Sequence, residues 1–170
     1  QQGAWMGAAV SRAGDVDGDE IADVIVGASR YTNLHNNEGA VYMFRGSTGG
    51  LSTTPSWIAY GGSATATFGS SVAAAGDVNH DGYDDILVGA PGYDLPGLNN
   101  CGAAFVYLGS ATGLQPTPAW SFYGETSEAK LGYAVSGAGD VNQDGYADFM
   151  VGAPYHSSLE FANQGAAYLF

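Results

Sequence analysis

Basic residues are nearly missing from this chain. Only 4 of its 170 residues are lysine or arginine, against 17 aspartates and glutamates, and the formal net charge is −13. That balance argues against a nucleic-acid partner, because phosphate recognition needs a basic surface, and it disfavours docking on an anionic membrane for the same reason. Cysteine is down to one residue, Cys101, so neither an internal disulfide framework nor a Cys/His zinc site can form. Cys101 stands just before an apolar strand pattern and is expected as a buried or half-buried free thiol. No run approaches the ~18 apolar residues that span a bilayer, so no transmembrane segment is expected. There is no Asn-x-Ser/Thr sequon. No N-terminal signal peptide is visible either, which reads as a chain that is cytosolic, mature or trimmed. Helical periodicity of useful length is lacking throughout.

What is abundant is glycine, at 27 residues, and an apolar fraction of 45%. Together they describe a folded chain with many tight turns. The acidity is concentrated as well. The pattern Asp-x-(Asp/Asn)-x-Asp-x-x-x-Asp occurs three times, at Asp15–Asp23, Asp77–Asp85 and Asp140–Asp148, and ten of the 17 acidic residues fall on it. Each copy follows Ala-Gly and leads into an apolar run ending in Gly-Ala.

Other landmarks repeat in the same register. An apolar-Gly pair precedes each loop (Met6-Gly7, Phe68-Gly69, Leu131-Gly132), and a Val-Gly-Ala closes each run (Val26–Ala28, Val88–Ala90, Val151–Ala153). A further apolar segment follows a glycine at Gly39–Phe44, Gly102–Leu108 and Gly165–Phe170. A Trp segment occurs only twice, at Trp57–Gly61 and Trp120–Gly124. The unit therefore reads as four short strands in roughly 60 residues, with no helix. The second strand of each unit is apolar without alternation, as suits a strand covered on both faces. One four-stranded sheet cannot bury both faces alone, so stacked copies describe an all-β β-propeller of antiparallel blades. A sandwich or a β-solenoid is the rival arrangement.

The chain is expected to be a single propeller segment, 1–170, with blade units approximately 1–56, 57–119 and 120–170. The last blade lacks its outer strand. About three blades are too few for the usual ring of four to eight, so the chain forms part of a closed propeller. Further blades, from the parent chain or from a second copy in an oligomer, are needed to close it.

The loops carry the chemistry. Carboxylates crowded together repel or take up protons unless a cation joins them. Ca²⁺ accepts 6–8 oxygen ligands in flexible geometry. The expected ligands are Asp15, Asp17, Asp19 and Asp23 with the Ile21 carbonyl; Asp77, Asn79, Asp81 and Asp85 with the Tyr83 carbonyl; and Asp140, Asn142, Asp144 and Asp148 with the Tyr146 carbonyl. Three such ions would bring the charge from −13 to about −7. An EF-hand would need Glu at position twelve and flanking helices; Val26, Val88 and Val151 stand there, in strand pattern. Mg²⁺ suits such a site less, since it demands octahedral geometry and keeps its waters. At position six Gly82 and Gly145 allow a left-handed turn, whereas the first copy has Glu20 there and is expected to bind with altered geometry.

These residues resemble the FG-GAP repeat family, found in the N-terminal propeller of integrin α subunits. Phe68-Gly69 with Gly89-Ala90-Pro91 spell the family's signature, and Gly76–Asp85 and Gly139–Asp148 match its calcium loop. Met6, Leu131 and Ser29 are mild departures. The resemblance implies a seven-bladed propeller in the intact protein, with calcium in the loops joining the first two strands of a blade. The turn Gly109–Leu114 is similar to those of microbial members.

The function expected is a calcium-binding module for extracellular or cell-surface adhesion, recognising a protein or glycan ligand, with calcium structural. Its contact surface is the rim opposite the calcium loops, where the variable loops Arg30–Glu38, Gly92–Cys101 and Tyr155–Gln164 carry Tyr31, His35, Tyr93, Tyr155, His156 and Phe161. Packing over the blade top is the plainer role for each of these aromatics. The alternatives are a non-catalytic propeller part of a secreted calcium-dependent polysaccharide-active or lipase-type enzyme, and a purely structural spacer. No catalytic residue is assigned: there is no Gly-x-Ser-x-Gly elbow, and His35, His80 and His156 do not recur in register. His80 is expected to be a solvent-facing filler.

Overall fold

The computed structural model describes all residues, Gln1–Phe170, and contains eleven β-strands and no helix; no helix is long and apolar enough to cross a membrane. In chain order the strands are β1 (Met6–Gly14), β2 (Asp23–Ala28), β3 (Ala40–Phe44), β4 (Trp57–Tyr60), β5 (Ser71–Gly76), β6 (Asp85–Ala90), β7 (Ala103–Tyr107), β8 (Trp120–Tyr123), β9 (Ala134–Gly139), β10 (Asp148–Ala153) and β11 (Ala166–Leu169). They form three antiparallel meanders, β1-β2-β3-β4, β5-β6-β7-β8 and β9-β10-β11. These are propeller blades, and they do not close into a ring. The unit boundaries expected at 56/57 and 119/120 separate β4 from β3 and β8 from β7. Hydrogen bonding joins each pair in one sheet (Met43 with Trp57, Val106 with Trp120), so the first two sheets run to Tyr60 and Tyr123.

The first strands β1, β5 and β9 lie side by side and line a hollow of about 610 Å³. Small residues dominate there, such as Ala73–Ala75, Ser136 and Gly137. They have to, because inner strands converge: a Cβ on Gly137 would press on the Ala74 carbonyl of the next blade.

Burial follows position in the stack. β6 and β7 of the middle blade are buried at every residue. β2 is only half-buried at Val24 and Val26, and Met150 of β10 is exposed. The apolar run of strand two is thus matched by cover on both faces only where both neighbouring blades are present. The uncovered side of the first blade shows a cross-strand row Val10, Val26, Tyr42 and Ile58. The uncovered side of the third shows Ser136, Met150 and Leu169. Between blades one and two, Phe68 sits edge-on to Phe105 and Tyr107 at 5.7 and 6.3 Å. Leu131 takes the equivalent place between blades two and three and is fully buried, whereas Met6, with no blade before it, is 58% exposed. Cys101 is a buried free thiol.

Candidate metal centre

Each acidic loop begins with a bulge. Gly14, Gly76 and Gly139, the glycines preceding the first aspartates, have φ of 83°, 81° and 71°, and the strand register slips at each of them. The kink turns the chain out of the first strand into the loop. Position one then organises the turn. In the first loop Asp15 accepts from the N–H groups of Gly18, Asp19 and Glu20 at 2.7, 3.1 and 2.8 Å. Asp77 accepts from Asp81 and Gly82 at 3.0 and 2.8 Å, and Asp140 from Asp144 and Gly145 at 3.0 and 2.9 Å. Position five caps position seven: Asp19, Asp81 and Asp144 accept from Ile21, Tyr83 and Tyr146 at 2.9, 3.1 and 3.0 Å. This bond, with one from Asn142, holds the Asp144 carboxyl below its usual pKa.

The three loops share one backbone conformation. Positions four and six are both left-handed in every copy: Gly18 (φ 78°) and Glu20 (66°), His80 (60°) and Gly82 (90°), Gln143 (62°) and Gly145 (94°). The altered geometry expected from Glu20 is therefore not found in the backbone. Each loop has one glycine and one strained residue, and the first loop places the glycine at position four. The reason lies in the neighbouring blade. Tyr83, at position seven of the second loop, packs over Gly18 so closely that a Cβ there would come within 2.8 Å of its ring. At the next junction the pairing is polar. His80 Nδ1 lies 2.6 Å from the Gly145 carbonyl oxygen and its ring 5.7 Å from that of Tyr146. His80 is thus a bridge between loops, where the sequence suggested a filler. The backbone is coupled too, since Asp84 and Ala147 at position eight donate to the Asp15 and Asp77 carbonyls at 2.9 and 3.0 Å.

The ninth-position aspartates are buried, at 1%, 0% and 8% exposure for Asp23, Asp85 and Asp148. Asp23 accepts from Val16 and Gly46 at 3.3 and 2.9 Å, and Asp85 from Val78 and Gly109, both at 2.8 Å. Asp148 accepts from Val141 at 2.8 Å. These carboxylates clamp the loop to its own sheet, a role that spacing alone did not reveal. Burial raises the Asp23 carboxyl and pushes that of Asp85 up to about 6, against the lowering effect of these N–H donors.

Of the expected ligands, Asp15, Asp17 and Asp19 each offer an oxygen within 4.8 Å of the others. Asp17 is nearly buried, with Arg45 Nε 3.1 Å from its Oδ2, while its Oδ1 is buried without any partner. A buried carboxylate oxygen without a partner, on a side chain clustered with two further carboxylates, suits a hard cation. In the second and third loops the asparagine takes the place of this charge. Asn79 and Asn142 donate to Asp81 and Asp144 at 2.8 and 2.9 Å. The same amides turned over would present oxygen to an ion. Arg45 thus faces the one loop with a fourth aspartate, which offsets its extra charge.

Comparison with known proteins agrees with this architecture. The FG-GAP repeat model matches residues 6–44, 68–108 and 131–170. The chain belongs to the FG-GAP repeat family. It is 36% identical to integrin alpha-3 of Mus musculus over 159 residues, covering 90% of this chain and 14% of that protein. It is 34% identical to integrin alpha-IIb of Mus musculus over 146 residues, covering 82% of the chain and 14% of the relative. With integrin alpha-PS3 of Drosophila melanogaster it is 32% identical over 178 residues, 100% of the chain and again 14% of the relative. The chain therefore spans about one seventh of the length of these relatives.

Several rim aromatics of this FG-GAP chain are scaffold. Tyr31 sits 5.8 Å from Tyr60 and 6.2 Å from Tyr42, Tyr93 lies 5.5 Å from Tyr123, and His156 stands edge-on to Tyr168. These three occupy one repeat position and cover the outer strands of their blades. Tyr155, Phe161 and Leu159 remain exposed on that rim.

Proposed function

We propose that this FG-GAP chain is a calcium-stiffened propeller segment of an extracellular or cell-surface adhesion protein. Its recognition surface for a protein or glycan ligand is the rim opposite the acidic loops. Three Ca²⁺ ions, one per loop, would be held by the carboxylates and amides at positions one, three and five, the position-seven carbonyls, and Asp23, Asp85 and Asp148. When bound, the ion supplies charge compensation and rigidity, with no chemical step. The observation that carries this reading is the buried, unpartnered Asp17 Oδ1 beside Asp15 and Asp19, in a loop whose backbone recurs in two further copies. Kinship with integrin α subunits supports the adhesive role. The blade stack 1–170 would be continued by further blades, from a longer parent chain or a second copy, which would cover the rows at Val10–Ile58 and Met150–Leu169.

Thermal unfolding with millimolar Ca²⁺ and with chelator tests the metal. Micromolar sites at millimolar calcium add about 4 kcal/mol each by mass action. A fall in melting temperature of only a degree or two on chelation would sink the metal assignment. The rim is tested by Phe161→Ala and Leu159→Ala against panels of extracellular proteins and glycans. Binding should weaken at unchanged melting temperature.

A further inference from the structure

The chain has four cationic side chains, and they are not spread evenly. Arg45 is paired with Asp17, and Arg12 lies in the inner hollow. The other two, Arg30 and Lys130, converge on one depression of about 390 Å³ on the rim opposite the acidic loops. Its walls come from the β2–β3 loop (Arg30, Asn37), the connection from β4 to β5 (Thr65, Thr67), the β6–β7 loop (Asn100) and the connection from β8 to β9 (Lys130). No carboxylate lines it, in a chain where acids outnumber bases 17 to 4. The acids near it are engaged by Asn100, whose amide donates to Glu128 at 2.9 Å and whose backbone N–H donates to Asp94 at 2.6 Å.

Neither cation has a carboxylate partner, the chain's one ion pair being Arg45 with Asp17. Each is carried on an aromatic ring instead. Arg30 Cζ lies 3.7 Å from the centroid of Trp5, and Lys130 Nζ lies 5.5 Å from that of Tyr155. Stacking of this kind orients a cation without neutralising it, and leaves its N–H groups free to donate. The surrounding backbone is fixed. Asn37 and Asn100 have φ of 50° and 46°, and their carbonyls accept from Thr67 and Lys130 at 3.2 Å. Gly92 N–H is held by Thr67 Oγ1 at 3.1 Å.

The geometry points to a carboxylate-binding seat, taking an aspartate or glutamate side chain of a protein ligand between Arg30 and Lys130. This deepens, and rests on, the reading of this rim as the recognition surface. The depression admits a carboxylate side chain, and Arg30 and Lys130 both line it, so both act on that group within a screening length of about 8 Å. The surface around the depression belongs to a chain of net charge −13, or about −7 with three calcium ions bound. A polyanionic glycan is repelled there, while a single acid set among neutral or basic residues is not.

The test is an amide-resolved NMR titration of the 170-residue chain in saturating calcium with acetyl-Lys-Asp-Lys-amide, its Asn analogue, and a heparin-derived tetrasaccharide. The Asp peptide should shift the amides of Asn37, Thr67, Gly92 and Lys130 saturably, and the Asn peptide should bind about tenfold more weakly or worse. The double substitution Arg30→Gln, Lys130→Gln should lose about tenfold at unchanged melting temperature, and Lys130→Arg should retain binding. Equal binding of the Asp and Asn peptides to the parent chain would overturn the proposal without need of any variant. So would tighter binding of the tetrasaccharide at the same amides. If Phe161→Ala weakens capture of a protein ligand and the double substitution does not, the seat fails while the rim reading stands. If neither does, both fail.

Discussion

Replacing one glycine per blade tests the stack directly. Gly27, Gly89 and Gly152 occupy the same place in the Val-Gly-Ala that ends each second strand, and none of them has a left-handed φ. Backbone conformation alone therefore permits alanine at all three. Their surroundings differ. A Cβ on Gly27 would fall well under 3.0 Å from the Gly69 carbonyl oxygen, and one on Gly89 equally close to that of Gly132. A backbone carbonyl cannot swing aside as a side chain can. Gly89→Ala must therefore part the second and third blades or break the bond from Gly132 N–H to the Gly152 carbonyl, now 3.0 Å. Ser71, whose hydroxyl donates to the Gly132 carbonyl at 2.7 Å, would lose its place as well. Overpacking of this kind costs about 3 kcal/mol, or ~6–12 °C for a chain of this size. On Gly152 the nearest atom would be the Ala134 carbonyl oxygen at 3.6 Å, an ordinary contact. Gly152→Ala should then be neutral, or stabilising by about 0.5 kcal/mol through the unfolded state. Urea unfolding in saturating calcium, with m compared between variants, reads the difference. If Gly152→Ala cost as much as Gly89→Ala, close approach of the next blade could not be the reason for the glycine. In a longer chain with a fourth blade seated on β10, Gly152→Ala should become as damaging as the other two.

Two further outcomes separate the roles of other residues. Asp85→Ala leaves the N–H groups of Val78 and Gly109 unpaired and should cost about 1–3 kcal/mol for each, in chelator as well as in calcium. Asp81→Ala, on the exposed side of the same loop, should act mainly on the calcium-dependent part of the stability, its solvent-exposed bond from Tyr83 N–H being replaceable by water. A D85A variant indistinguishable from the parent in chelator would refute the clamp. Burial raises the Tyr42 phenol to about 12, with Tyr31 and Tyr60 beside it. Because the folded pKa lies above the unfolded value near 10, this contribution is complete below pH 10 and is lost as pH rises through about 12. Absorbance at 295 nm should show tyrosines ionising well above pH 10, the amplitude near pH 12 reduced by Tyr42→Phe while the more deeply buried Tyr107 ionises higher still; uniform ionisation near pH 10 would contradict it.

Much of this was readable before any coordinates. The recurrence of Asp-x-(Asp/Asn)-x-Asp-x-x-x-Asp between apolar strands specified the repeat, the strand order and the absence of helix. These depend on local periodicity and turn chemistry, which neighbouring residues carry. The buried state of Cys101 followed from its place beside a strand. The clustering of Asp15, Asp17 and Asp19 was legible for the same reason: a short turn brings them together without help from elsewhere.

Contacts between units were not legible. Nothing in the string Asp-Val-Asp-Gly-Asp-Glu explains why the glycine moved to position four; Tyr83, from the next blade, does. Nothing marks Arg30 and Lys130 as neighbours, since a hundred residues separate them and only the stacking of blades brings their loops together. The unit boundaries slipped because the Trp segments look like the start of a new repeat, whereas hydrogen bonding makes them the outer strands of the old one. Sequence alone thus determined the blade and its acidic loop, whose causes are short-range. Tertiary structure decided which identical positions are buried, which glycines are indispensable and where unpaired charge collects, because each of those is set by a neighbouring blade.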